Sequence, residues 1–277
     1  MLFLGGKMLG PGLSPGRWFG GAFVFDALVI SDTHLGSENC QAKMLVHFLE
    51  AIHEGTIRTR QLILNGDVFD SIDFRRLKRL HWKVLSLVRK LSDQIEIIWI
   101  NGNHDGPSEI VSHLLGVTVQ DEIVVRSGNK NVLLLHGHRF DKFLDRYPVT
   151  SKLADGLYRF LQWLDKSHTI ARQAKHSSKT FLRSTHKVRE AAVEYARRKG
   201  CDAVCCGHTH MPLADTSGAV PYYNSGCWTE RPSHYLTIAG GVVELCMYSE
   251  ELVVEAAPSE QPSEAPPTDQ PLAPAVP

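Results

Sequence analysis

The chain has 277 residues, 43% hydrophobic and 22% charged, with 30 basic and 30 acidic side chains and a formal net charge of zero. That length and balance suit a globular protein with a sizeable core and exclude a wholly disordered or fibrous chain. Zero net charge excludes a strong overall field toward nucleic acid or a membrane, although Arg139 to Lys199 carries 15 Lys/Arg against 6 Asp/Glu.

Residues 1–24 break short apolar runs with Gly and Pro, too short for a signal core or a spanning helix, and read as a poorly ordered leader. From there short β-rich runs alternate with helical patterns across a domain spanning 25–254, which argues for layered α/β. FDALVISDTH reads as a strand and loop, and NCQAKMLVHFLEAIHEG as a helix with Met44, Leu45, Phe48, Leu49 and Ile52 on one stripe and Gly55 as terminator. QLILNGDVFD is a second strand and loop, RLKRLHWKVLSLVRKLSD a helix, and IEIIWINGNHD a third strand and loop. NVLLLHGHRFD and DAVCCGHTH supply a fourth and a fifth, separated by a helical insert over 139–200 that carries the positive surplus. Residues 255–277, dominated by Pro, Ala, Ser and Glu, have little to bury and read as a disordered tail. Six cysteines without a CxxC pair read as reduced thiols of a cytoplasmic protein.

Each apolar run ends in residue types that suit turns and metal sites rather than a core. The strand ends present Asp32-Thr33-His34, Gly66-Asp67 with Asp70, Gly102-Asn103-His104-Asp105, His136-Gly137-His138 and Gly207-His208-Thr209-His210. Five such ends fit the rule that α/β sheets bind ligands beyond the carboxyl ends of their strands. Asp, His and Asn donors without thiolate suit Mn²⁺, Fe or Zn²⁺ and exclude a structural zinc finger.

The ordered series D-x-H, GDxxD, GNHD, H and GHxH resembles the calcineurin-like metallophosphoesterase superfamily over roughly residues 25–248. The resemblance implies a four-layered α/β/β/α fold, two mixed sheets face to face with helices outside. It implies two divalent ions, Mn²⁺ first with Fe or Zn²⁺ as options. Asp32, His34 and His210 would surround one metal, and Asn103, His136 and His208 the other. Asp67 would bridge them, each oxygen taking one cation, and the metals would share a hydroxide that attacks phosphorus in line. His104 would be the general acid facing the leaving oxygen. Asp70 and Asp105 would orient ligand imidazoles.

Within the superfamily, the helical insert, GHTH and the following NSGCWTE resemble the UDP-2,3-diacylglucosamine diphosphatase family. That likeness implies a lipid-linked nucleotide sugar as substrate and a peripheral contact with the inner face of a membrane. Asn103, His104, Lys175, Lys179 and Arg183 would bind its phosphates, with Leu157, Phe160, Leu161 and Trp163 over its acyl chains. The chain departs from that family's best-known branch at His104, where arginine is usual, and at His138, where aspartate is. Two alternatives stay open: a phosphodiesterase or nuclease acting on nucleotides or nucleic acid, and a non-catalytic scaffold of the same fold. Nucleic acid is the less expected partner, because no further DNA-binding segment is present.

Overall fold

The computed structural model describes residues 24–106, 108–141 and 179–248, plus the backbone of two short pairings, Phe3–Leu4 with Lys7–Met8 and Trp18–Phe19 with Ala22–Phe23. The tail, Lys175 and the four apolar residues expected over acyl chains lie outside the described residues, as does most of the leader.

Eleven strands form two mixed sheets. The first contains β1 (Phe25–Ile30), β2 (Thr59–Asn65), β3 (Glu96–Ile100) and β4 (Thr118–Gln120) in parallel succession. The second begins with β5 (Glu122–Ser127), antiparallel to β6 (Lys130–Leu135), which runs parallel to β7 (Ala203–Cys206). Beyond β7 this sheet continues with β9 (Tyr222–Asn224) and ends at β8 (Leu213–Asp215). The chain then returns to the first sheet as β10 (Ser233–Ala239), antiparallel to β1, and β11 (Val242–Tyr248) at the edge.

Side chains alternating along the strands build the layers, because neighbouring residues of a strand point to opposite faces. Ala27 and Val29 of β1, Ile63 of β2 and Ile98 and Ile100 of β3 meet Val132 and Leu134 of β6 and Ala203 and Cys205 of β7 in the core between the sheets. The intervening Leu28, Ile30, Leu62, Leu64, Ile97 and Trp99 face the opposite way. There they pack on helices α1 (Ala42–His53), α2 (Arg79–Leu91) and α3 (Ser108–Leu115). The alternate residues of the second sheet, Leu133, Leu135, Val204 and Cys206, pack on α4 (Lys179–Arg198). Each buried Leu or Ile contributes about 1.5–3 kcal/mol. The layers are therefore helix, sheet, sheet, helix, the architecture expected from the resemblance.

Within the segment expected as a cap, α4 is a scaffold layer. Val188, Ala192 and Ala196 recur every four residues and are fully buried, so a narrow stripe of small side chains lets the helix lie close on β6 and β7. All six cysteines are free. Among the described residues, no helix is long and apolar enough to cross a membrane.

Candidate metal centre

The loops after β1, β2, β6 and β7 meet where the two sheets abut. Backbone bonds stitch the first two together: Asp32 N–H donates to the Gly66 carbonyl at 3.0 Å, and His34 N–H to the Asp67 carbonyl at 3.0 Å. Across the sheets, the His208 amide donates to Asp32 Oδ2 at 3.0 Å, and between the loops after β6 and β7 of the second sheet Gly207 N–H donates to the His136 carbonyl at 3.1 Å. Only five non-glycine residues among those described have positive φ: Asp32, His34, Asp67, His208 and His210, at 52°, 44°, 51°, 66° and 58°. All five are expected ligands. Left-handed backbone costs an ordinary residue roughly 1–2 kcal/mol, and Asp and His enter it more readily than most. Such strain gathered in one place marks a built site.

Two glycines are required by close approach. A Cβ on Gly102 would collide with the Asp67 amide and carboxylate, and one on Gly207 with Ser31 and Asp32 Oδ2. Their bare backbones let the ligand loops nest.

The expected ligands fall into two groups, Asp32 with His34 and His210, and Asp67 with His136 and His208; within each, the donor atoms lie within 4.8 Å of one another. Asp67 stands between them, its Oδ2 3.2 Å from His136 Nε2 and 3.9 Å from His34 Nε2. Its Oδ1 accepts the His104 amide at 2.9 Å, so the Asp67 carboxylate is held in place from one side while Oδ2 is turned toward His34 and His136.

The donor set fits divalent cations. Asp32 Oδ1 lies 3.1 Å from His210 Nε2 and His136 Nε2 lies close to Asp67, yet neither contact has hydrogen-bond geometry, and both atoms are buried. His136 Nδ1 is 2.9 Å from the Asn65 carbonyl, which can only accept, so Nδ1 keeps a proton and Nε2 is the nitrogen that a cation would take once it is deprotonated. A buried polar atom left unpaired costs about 1–3 kcal/mol, a cost that a cation among these atoms removes. Electrostatics agree. Burial raises the Asp32 carboxyl, but the His210 and His136 imidazoles outweigh it and hold it down at about 2. Asp67 is likewise pulled well below the carboxylate range by His136 against its own burial. Burial and repulsion from His210 lower His34 to about 4, whereas the Asp67 and Asp32 carboxylates overcome burial and raise His136 to about 9.

Other expected residues take distinct places. His104 is exposed at the rim, 5.2 Å from the His34 ring, with Nδ1 3.1 Å from the Asp70 carbonyl; Asn103 precedes it on the same exposed turn. Asp70 was expected to orient an imidazole, but its carboxylate is 3.7 Å from His34 Nδ1, outside hydrogen-bond range, and pairs with Arg76 at 2.5 Å. Asp105 also departs from expectation. It accepts the amides of Asp67, Phe69 and Gly102 and the Trp99 indole, so it orients loop backbone rather than a ligand ring. Lys179 opens α4, its side chain outside those described, and Arg183 is exposed one position before Ser184.

The structure adds a residue that the motifs left out. Asp141 Oδ2 is 3.2 Å from His208 Nε2, and Ser184 Oγ donates to Asp141 Oδ1 at 2.9 Å. Its signal was its place in HGHRFD, one turn past a ligand histidine. The Asn65 carbonyl that fixes His136 had no signal in the side-chain alphabet.

No curated protein sequence matches the chain. Among solved structures it is similar to an archaeal phosphodiesterase, 14% identical over 80% of this chain and 99% of the other, with a TM-score of 0.45. It is also similar to Yfce, a phosphoesterase from E. coli, at 18% identity over 78% and 90% of the two chains and a TM-score of 0.43. Vps29 from Entamoeba histolytica, complexed with Zn²⁺, is 16% identical over 80% and 97%, with a TM-score of 0.39. The profile of the calcineurin-like phosphoesterase family matches residues 25–212, about two thirds of the chain, and the chain belongs to that family.

Proposed function

We propose that this chain hydrolyses phosphoesters and diphosphates with two divalent cations, Mn²⁺ first, and that its substrate is the diphosphate of a lipid-linked nucleotide sugar such as UDP-2,3-diacylglucosamine. The observation that carries the catalytic reading is the convergence of two Asp/His groups on Asp67. Cations held there would supply charge neutralisation of a phosphoryl group and acidification of water. Asp32, His34 and His210 would hold one, and Asp67, His136 and His208 the other, with Asn103 on the neighbouring turn as its further expected donor. The Asp67 carboxylate would lower the repulsion between two such charges, and its Oδ1 accepts the His104 amide.

That same amide sets the place of His104 beside the cluster. The Asp70 carbonyl requires a proton on His104 Nδ1, so Nε2 is the atom that can pass a proton to a leaving oxygen. A charged imidazolium there also stabilises the negative charge that develops. With every expected ligand position filled, the site supports catalysis over a scaffold role.

The finer substrate reading rests on the NSGCWTE segment after GHTH and on the positive surplus of 139–199, to which Lys175, Lys179 and Arg183 belong. A hydrolysis panel with Mn²⁺ tests both levels. Bis-nitrophenyl phosphate turnover that Asp67→Ala abolishes supports the phosphoesterase. Preference for UDP-2,3-diacylglucosamine over its deacylated form supports the lipid-linked substrate; preference for cyclic nucleotides or single-stranded DNA replaces it with the nucleotide reading.

A further inference from the structure

Asn224 closes β9, where parallel pairing with β7 sets it beside Cys206, the residue before the GHTH turn. Its side chain is fully buried, and a buried amide must find partners for its two protons and its oxygen. Nδ2 donates to the Gly207 carbonyl at 2.7 Å and to Thr209 Oγ1 at 3.2 Å, with Tyr222 Oη also at 3.2 Å. Oδ1 accepts the Gly226 amide at 2.9 Å. The Gly207 carbonyl can only accept and the Gly226 amide can only donate, so the amide has one orientation. The segment it holds reaches the other sheet as well. The Gly226 carbonyl accepts from Ser31 Oγ at 3.0 Å, and the Trp228 amide donates to the Asp32 carbonyl at 3.1 Å.

The two partners in the GHTH turn alternate with its two histidines: Gly207 precedes His208, and Thr209 precedes His210. Those imidazoles belong to different candidate metal groups, His208 with Asp67 and His210 with Asp32. Both residues have positive φ, 66° and 58°. Such a backbone persists only where its surroundings hold it. Within the turn itself the Thr209 amide reaches the Gly207 carbonyl at 2.7 Å, while the His208 amide is turned away to Asp32 Oδ2. Asn224 supplies a grip on the turn at the residue before each ligand.

We propose that Asn224 is a positioning residue for the metal centre. Through Gly207 and Thr209 it sets the directions of His208 and His210 at once, so the affinities of both groups depend on one buried amide that ligates nothing. A carboxylate of the same shape would turn an acceptor toward the Gly207 carbonyl and push the turn away. The inference rests on the metal-centre reading given above, and its test reads binding without turnover.

Co²⁺ binds nitrogen and oxygen donors more tightly than Mn²⁺, and its visible absorption reports affinity and ligand geometry together. In a titration of the full chain, the wild type should take up two ions. Asn224→Asp should lose about 10–100-fold in affinity at both groups, the usual effect of a residue that holds ligands in place, and its bound Co²⁺ should show a changed spectrum. Thr209→Val removes one acceptor of the amide and should weaken binding about fivefold, the net effect of one hydrogen bond. Thr209→Ser keeps the hydroxyl and should bind as the wild type does. That pair decides the matter if Asn224→Asp does not fold. Ile238→Val, in the core between the sheets, should lower the Tm and keep both affinities. Equal affinities in the wild type and Asn224→Asp, a loss at one group only, identical binding by the two Thr209 variants, or an equal loss in Ile238→Val would overturn the proposal and leave the metal centre standing. A wild type that takes up no Co²⁺ would overturn both.

Discussion

Asp141 Oδ2 lies 3.2 Å from His208 Nε2, and through Ser184 on α4 the same carboxylate ties the outer helical layer to the candidate ligands. A carboxylate against a ligand imidazole fixes the ring and raises its basicity, typically at 10–100-fold in metal affinity when lost. Asp141→Asn should therefore weaken the Asp67/His136/His208 group by about that factor and leave the Asp32/His34/His210 group unchanged. Titration against a chromogenic chelator checks this: two well-separated affinities are expected in the variant, and an equal loss at both groups would show that Asp141 supports the fold as a whole.

His104→Ala should lower turnover by about 10²–10⁴-fold, the range for a positioned proton donor. It should leave metal content intact, because the Asp67 Oδ1 contact comes from the His104 backbone and survives the substitution. Elemental analysis beside steady-state kinetics decides it; a variant that loses metal would make His104 a structural partner of His34.

Gly207→Ala places a methyl group against the Ser31 side chain and Asp32 Oδ2, two fully buried groups with little room to give way. Overpacking of this kind costs about 1–3 kcal/mol. Thermal unfolding should show that loss, and the variant should bind metal weakly even below its Tm. Unchanged metal affinity would mean that the Asp32 loop is slacker than its bonds to Gly66 and His208 indicate.

Metal uptake should depend on pH through His136. In the metal-depleted protein Asp67 and Asp32 hold it as imidazolium up to about pH 9 against a usual value of 6.5. A pKa raised by folding stabilises the depleted fold fully below pH 6.5 and ceases to do so as the pH rises through 9. A cation needs the same nitrogen deprotonated. Apparent affinity should therefore climb across that window with release of about one proton per chain at its lower end. Calorimetry in buffers of different ionisation enthalpy measures the proton; no release at pH 7 would contradict the assignment of His136.

Much of the site was legible because Asp, His and Asn rarely end apolar runs, so Asp32, His34, Asp67, His136, His208 and His210 stood out one strand at a time. The layering was legible in its outline through runs such as Ala27–Ile30, buried on both faces. Strands of three residues, such as Thr118–Gln120 and Leu213–Asp215, are shorter than the repeat that would reveal them. Asp105 shows a different limit. A carboxylate's identity does not tell whether it will face an imidazole or a set of amides, and its partners were decided by the turn that carries it. Asp141 required knowledge that α4 would fold back to bring Ser184 beside the loop after β6.

The most direct test of the account is the metal content of Asp67→Ala. Among the described residues, its carboxylate faces both clusters, at 3.2 Å from His136 Nε2 and 3.9 Å from His34 Nε2. After equilibrium dialysis against Mn²⁺ and elemental analysis, the wild type should hold two ions per chain, and Asp67→Ala should lose affinity at both groups. A variant that keeps one ion at full affinity would contradict the account, because Asp67 would then belong to one group and not to two.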